Sequence, residues 1–161
     1  MDHQPAEVEE VEHPLLHAVG KIVQKLFVDK GWGADPNARP LGPWPVSTAK
    51  EAGEPDNVLT VYTTAGTDDG RSMIDGERFR HHAVQVRIRA LNPRDGEAKG
   101  EFISHALDED AYQETVAVDA AIYEVHCFAN VGPLLPLGTE DSASKRSLYT
   151  INAKVSLRRL T

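Results

Sequence analysis

Cysteine, aromatic residues and long apolar runs are all scarce in this sequence. Among 161 residues there is one cysteine, Cys127, and only 6% are aromatic. One cysteine cannot form a disulfide within the chain, and its apolar surroundings, YEVHCF, predict a small core residue on a strand. No apolar run approaches the roughly 20 residues that span a bilayer, and the N-terminus lacks the basic-then-apolar order of a signal peptide. We therefore expect a soluble protein that is made in the cytoplasm, without redox chemistry.

Basic residues are also outnumbered, by 25 Asp and Glu to 17 Lys and Arg, which gives a net charge of −8. Nonspecific binding to nucleic acid depends on basic residues that neutralise phosphates, so this balance argues against it. The charges are segregated along the chain: residues 1–12 and 95–124 are acidic, whereas residues 145–161 contain five basic residues and no acid. Segregation of this kind either guides self-association, acidic face against basic face, or reflects solvated surfaces.

The length and the 40% hydrophobic content predict one domain over residues 1–161, with residues 1–12 as an acidic, flexible arm. Residues 13–30 have apolar side chains at helical spacing, which predicts an amphipathic helix. Gly31 supplies the left-handed exit that commonly ends a helix. The apolar stripe comprises Leu15, Leu16, Val19, Ile22, Val23, Leu26 and Phe27.

Residues 33–56 form a Pro-rich segment in which regular structure is discouraged. A loop of this length in a compact domain usually has a function or makes contacts. Trp32 and Trp44 flank it, and they either anchor the loop to the core or offer an exposed contact to a partner.

Alternating and β-branched patterns predict the strands. Residues 57–64 and 81–91 form two strands joined by a long hairpin arm or ordered loop, 65–80. Residues 97–110 predict a second helix, with Ala98, Phe102, Ile103, Ala106 and Leu107 on its packed face. Residues 114–129 predict an irregular strand with a bulge or bend near Ala120, and residues 147–160 the clearest strand. The predicted fold is α+β, with an approximately four-stranded, largely antiparallel or mixed sheet and two helices on one face.

No histidine motif predicts a bound ion. His13 and His17 lie one helical turn apart, but Pro14 occupies the position at which a zinc-protease motif needs its glutamate. The adjacent His81 and His82 should point to opposite faces of a strand.

The Gly- and Asp-rich stretch has no matching ligand signature either. Asp68, Asp69 and Asp75 do not have calcium-loop spacing, and TDDG is suited to a turn. The stretch lacks the lysine of a phosphate-binding loop, and the chain has no G-x-S-x-G motif. We therefore expect no catalytic residue, no cofactor, no metal and no enzyme activity.

Several motifs, in their order along the chain, resemble a family. These are NVLTVYTT, the Gly/Asp-rich connection, VQVRIRA followed by a helix ending in ALDED, PLLPLGTED with Arg146, and the closing strand YTINAKVSL. Together they resemble the tail terminator proteins, also called tail completion or minor capsid proteins, of bacteriophages with long non-contractile tails. The resemblance covers residues 10–161, whereas the long Pro-rich segment and the acidic arm depart from the family pattern.

The resemblance implies a homo-oligomeric ring, typically a hexamer, at the head-proximal end of the tail tube. There it would stop tube polymerisation and join the tail to the neck, with the tail tube protein and a head completion or neck protein as partners. Genomic DNA would pass through the lumen without specific binding, and no membrane would be involved. The protein would be made in the host cytoplasm and located in the virion, at the tail–neck junction. Candidate contact residues are Asp68, Asp69, Arg71, Arg87, Arg89, Lys154 and Arg158.

Two alternatives stay open, one within the same class of function and one from a different class. Within the same class, the chain could be a head-completion or neck adaptor protein or a tail-tube subunit, because these phage proteins share small α+β architectures and ring assembly. A small enzyme or ligand-binding domain would use the loop at residues 65–76, and converging carboxylates there would favour it.

Overall fold

A computed structural model describes residues 18–71, 78–141 and 145–160, with only the backbone for residues 64–71 and 78. The predicted arm at residues 1–12 and the histidines His13 and His17 lie outside these residues. The helices are α1 (Val19–Asp29) and α2 (Pro93–Glu109). The strands are β1 (Val46–Thr48), β2 (Val58–Arg71), β3 (Arg78–Ala90), β4 (Tyr112–Val118), β5 (Ala121–Asn130), β6 (Leu135–Thr139) and β7 (Ser147–Arg159).

The strands form one curled, mixed sheet in the order β1-β2-β3-β7-β5-β4, and β6 also pairs with β7. The β1–β2 pair is parallel and the other pairs are antiparallel. Helix α1 contacts β1, β2 and β4, which lie at both ends of this order, so the sheet curls around the helix. The α+β class is confirmed, whereas the expectation of about four strands was wrong.

The additional strands come from segments whose pattern is interrupted. The predicted single strand at residues 114–129 is a hairpin, β4 and β5, which turns at Asp119 and Ala120; Asp119 has a φ of 52°. The short strand β1 lies within the Pro-rich segment, and β6 contains Pro136 and Gly138. Proline and glycine lower the strand propensity of both segments, so their pairing with neighbouring strands has no clear local signal.

The described part of the first predicted helix is confirmed. Val19, Ile22, Val23, Leu26 and Phe27 are all buried on one face of α1. Gly31 follows the helix with a φ of 74°, the left-handed conformation that glycine adopts without a steric penalty. Leu15 and Leu16 lie outside the described residues.

Helix α2 packs on the sheet through a different face from the predicted one. Ile103, Ala106 and Leu107 are buried as expected, but Ala98 is exposed and the Phe102 side chain is 50% exposed. The contact instead runs through glycine: a Cβ on Gly96 would lie 2.8 Å from Tyr149 Cε2. The close approach at glycine turns Phe102 away from the core.

Both helices pack on the face of the sheet that carries Val84, Val86 and Ile88 of β3. The hydrophobic core includes the α1 stripe and the predicted strand residues Val84, Val86, Ile88, Ile151, Val155 and Leu157. Strands β2 and β3 continue beyond it, and their register extends from Thr63 opposite Val84 to Arg71 opposite Arg78. The connection is therefore a hairpin arm, whose residues 72–77 lie outside the described part.

Candidate functional site

The outer face of the sheet, opposite the helices, carries three of the seven predicted contact residues: Arg87, Lys154 and Arg158. Arg87 lies directly opposite Thr60 on one side and Thr150 on the other, and Lys154 lies opposite Ala83. Because directly opposed residues point to the same side of a sheet, these positions share one surface. We use "outer face" for the surface formed by Thr60, Tyr62, Gln85, Arg87, Asn152, Lys154 and Arg158.

Arg89 is on the same side of β3, but it is covered by the Pro-rich segment. Its residue is only 3% exposed, and its guanidinium donates to the backbone carbonyls of Gly53, Pro55 and Asp56. Burial, and then the neighbouring Arg146, lower the pKa of Arg89 below its ordinary value. The side chain that the sequence predicts as a subunit contact is thus used within the chain.

Arg146 completes the attachment of this loop, and the pair Arg89 and Arg146 is called the loop clamp below. Arg146 Nη1 donates to the Gly53 carbonyl at 2.9 Å, and its Nε donates to the Glu140 carboxylate. The hydrogen bond to Glu140 raises the pKa of Arg146. Two cations from β3 and from the segment before β7 therefore converge on one stretch of backbone.

The Arg87 side chain is partly exposed to solvent and makes only long contacts within the chain. It is 31% exposed, Nη1 lies 3.9 Å from Glu51 Oε2, and the guanidinium lies 5.4 Å from the centre of the Tyr62 ring. The flanking Thr60 and Thr150 side chains are buried, and their hydroxyl oxygens have no hydrogen-bond partner within the described residues. Arg87 lies on the same side of β3 as the clamp residue Arg89, but in contrast to Arg89 its side chain reaches the surface.

Part of the segregated charge is neutralised inside the chain. Arg158 forms an ion pair with Glu124, and its guanidinium lies 4.9 Å from the centre of the Phe79 ring. Two further acids of the segment 95–124 are also paired: Glu114 with Lys30, and Asp119 with Lys21 at 3.7 Å. Within the described residues Lys154 is exposed and has no ion pair, so it is the outer-face cation that is free to meet another chain.

The arm residues Asp68, Asp69 and Arg71 lie on β2, where Asp68 is opposite Arg80 and Arg71 opposite Arg78. Their side chains lie outside the described part, as does Asp75. Their role as contacts stays a prediction.

The two tryptophans anchor the Pro-rich segment. Trp32 is 4% exposed and its ring meets that of Phe27 edge-on, with centroids 5.4 Å apart. Trp44 is partly buried against the core, and its carbonyl accepts from the Ala34 amide. Cys127, which the sequence predicts in the core, is only partly buried, because its position on β5 faces the outer side opposite Ser156.

Metal ligation has no support within the described side chains, where no group of three or more His, Cys, Asp or Glu is placed to hold an ion. His81 Nδ1 lies 2.6 Å from Ser156 Oγ, which gives this imidazole a local partner. Neither described helix is long and apolar enough to cross a bilayer.

Elemental analysis of protein purified without chelators is expected to find no stoichiometric zinc, calcium or magnesium, because no ligand set of the required spacing occurs in the sequence. One tightly held ion per chain would contradict this prediction and return attention to the histidine and aspartate clusters.

Comparison with known proteins gives one informative match. A family model described as bacteriophage tail terminator protein matches residues 38–159. One solved structure has 16% sequence identity over 88% of this chain and 92% of its own, with a TM-score of 0.47. No curated protein matches. Since the family match covers most of the sequence, the chain belongs to the family of bacteriophage tail terminator proteins.

Proposed function

We propose that six copies of this chain form a ring at the head-proximal end of the tail tube, where the ring ends tube polymerisation and joins the tail to the head. The match over residues 38–159 is the observation that carries this proposal. Family membership itself implies a structural role in the virion, with tail and head components as partners, and speaks against an enzyme. The ring order, the position at the tail–neck junction and the passage of DNA through the lumen belong to the proposal.

A ring built from one repeated contact needs two different, complementary surfaces on each copy. The outer face offers a cation at Lys154, and Arg87, four residue positions away along the β3–β7 pair, is only loosely paired. Helix α2 offers the complementary acids on its solvent side, where Glu97, Glu101 and Asp108 are exposed. These two surfaces lie on opposite sides of the sheet, so they are distinct from each other, as the two partners in a head-to-tail contact must be.

The hairpin arm extends beyond the hydrophobic core. From Thr63 to Arg71 the strand β2 extends roughly 25 Å at the usual rise per residue. This part lies beyond the core residues Val61 and Val84. An arm of this length can cross the boundary to a neighbouring copy or to the tube.

The main test is complementation of a phage that lacks its terminator, with Lys154→Glu and with a deletion of residues 66–76. Both changes should leave the chain folded, since neither removes a described core residue, and both should impair the joining of tails to heads. Infectious titre and electron microscopy of tails measure the outcome, and circular dichroism monitors folding.

Lys25→Glu is the matched control, because it makes the same charge change on α1, on the other side of the sheet. It should leave the titre unchanged. Normal titres from both Lys154→Glu and the deletion would show that neither the outer face nor the arm acts in assembly. Labelled copies repeated along the tube would instead identify a tail-tube subunit, and copies only on heads a neck adaptor.

A further inference from the structure

Exposed apolar side chains lie beside Lys154 on the outer side of the sheet. Val131 lies opposite Asn152, because its amide donates to the Asn152 carbonyl at 2.8 Å, and Leu135 lies opposite Thr150. Both therefore flank the outer side of β7, and they are 62% and 43% exposed. Lys154 follows two residues after Asn152 on the same side of the strand. We call Val131, Leu135 and Lys154 the outer edge.

The solvent side of α2 carries a second set of exposed residues. Asp95, Ala98 and Phe102 are spaced so that their side chains share one side of the helix. All three are exposed, and Phe102 is turned outward because α2 approaches the sheet through Gly96. Several exposed apolar residues on one surface indicate a contact with another molecule. We call Asp95, Ala98 and Phe102 the helix stripe.

The two surfaces carry opposite charges. Lys154 is exposed and has no ion pair within the described residues, and the same holds for Asp95. The cation beside the helix stripe is Lys99, whose ammonium lies 5.7 Å from the centre of the Trp44 ring and 5.3 Å from that of Phe102. Its charge is thus directed towards the ring faces. Asp95 therefore stays available to a cation from another molecule.

The spacing of the residues agrees as well. From Lys154 to Leu135, which lies opposite Thr150, the outer edge spans four residue positions of β7, roughly 13 Å. From Asp95 to Phe102 the helix stripe spans roughly 10 Å along the helix axis. In both sets the charge lies at one end and the apolar side chains follow. The two sets can therefore lie side by side, with charge against charge and apolar against apolar.

We propose that the outer edge of one copy binds the helix stripe of the next copy in the ring. Lys154 would pair with Asp95, and the two apolar side chains of the outer edge would rest against Ala98 and Phe102. Because the two surfaces lie on opposite sides of the sheet, each copy offers both of them and the contact repeats head to tail. This inference rests on the proposed function, since it assigns residues to the contact between copies in that ring.

Leu160 is another exposed apolar residue beside basic side chains, and it offers a second copy a different way to reach the helix stripe. It is 46% exposed and follows Arg158 and Arg159. Arg158 is already paired with Glu124, and Leu160 brings one apolar side chain where the outer edge brings two. The outer edge is therefore the better match, and Leu160 becomes a comparison in the test.

Charge exchange tests the contact, by complementation of a phage that lacks its terminator. Lys154→Asp and Asp95→Lys should each lower the infectious titre about tenfold or more, because each places like charges opposite one another. The double variant Lys154→Asp/Asp95→Lys keeps the pair with its charges exchanged, so it should restore the titre. Val131→Ser/Leu135→Ser should also lower the titre, whereas Leu160→Ser, at a residue of similar exposure, should leave it unchanged.

Disulfide cross-linking of the assembled particles shows whether the two surfaces meet. In a Cys127→Ser background, Ala98→Cys/Val131→Cys should give covalent dimers and larger oligomers under oxidising conditions. Either substitution alone should give none, because each contact then has one thiol. Circular dichroism of the purified variants checks that each is folded.

Restored titre and cross-linking support the proposal. A double charge variant no better than the single ones overturns it, and so do particles that contain the paired cysteines and do not cross-link. A loss of titre in Leu160→Ser without one in Val131→Ser/Leu135→Ser overturns it too. If the cysteine pair prevents assembly, the charge exchange decides. Labelled copies along the tube or only on heads contradict the terminator function instead, and cross-linking of those particles still tests the contact between copies.

Discussion

Leu26→Ala is expected to lower the free energy of unfolding by about 2–5 kcal/mol, the range for large-to-small changes in a packed core. Leu26 is 1% exposed and belongs to the α1 stripe. Because α1 contacts strands from both ends of the sheet order, a cavity at this position loosens the contact that holds the curled sheet around the helix. Denaturant melts of the variant and the unmodified chain measure the difference.

The neighbouring exposed residue provides the control. Lys25→Ala removes only the ion pair with Asp29, four residues along the helix, at an N–O distance of 2.7 Å. Pairs of this kind are worth about 0.3–0.5 kcal/mol. A loss below about 0.5 kcal/mol for Leu26→Ala, the scale of an ordinary surface change, would mean that α1 does not pack as described.

Patterns that repeat over many residues predicted the elements correctly. The stripe on α1 and the alternation in β3 and β7 each report which side is buried, and those sides meet in one core. The segment 114–129 shows the limit of this reasoning. Its apolar residues switch from even to odd positions in the middle, which indicates an interruption. A bulge within one strand and a turn between two strands produce the same switch, so the pattern does not distinguish them.

The candidate site was harder to predict, because its character depends on segments that are distant in the sequence. Alternation correctly places Arg87 and Arg89 on one side of β3, yet only Arg89 lies beneath the backbone of residues 53–56. Nothing local to β3 distinguishes the two arginines. The exposure of Phe102 was missed for a related reason: helical spacing puts Phe102 on the apolar face of α2, and the packing through Gly96 that exposes it is set by Tyr149 on another strand.

The difference between the two arginines leads to the second large expected effect. Arg89→Met should lower the free energy of unfolding by about 3 kcal/mol and detach residues 50–57 from the sheet. Hydrogen bonds from a charged donor are worth about 1.5–3 kcal/mol each, and Arg89 donates to three backbone carbonyls in a site that is almost closed to water. Methionine fills a similar length but donates nothing. The Gly53 carbonyl keeps its bond from Arg146, but the carbonyls of Pro55 and Asp56 lose the Arg89 donor and are then satisfied only if the loop opens to solvent.

Arg87→Met is the matched comparison, since it makes the same change two residues away on the same side of the strand. The Arg87 side chain is 31% exposed, and its contact with Glu51, at 3.9 Å, is longer than a hydrogen bond, so the expected loss is below about 1 kcal/mol. Denaturant melts measure the stabilities, and amide hydrogen exchange of residues 50–57 measures the attachment of the loop. Equal losses for the two variants, or unchanged exchange in Arg89→Met, would show that the loop clamp does not hold the Pro-rich segment. A charge reversal at Arg89 would place a carboxylate among backbone carbonyls and disturb the fold. Lys154 and Arg87 are therefore the positions on the outer face at which a charge reversal tests assembly.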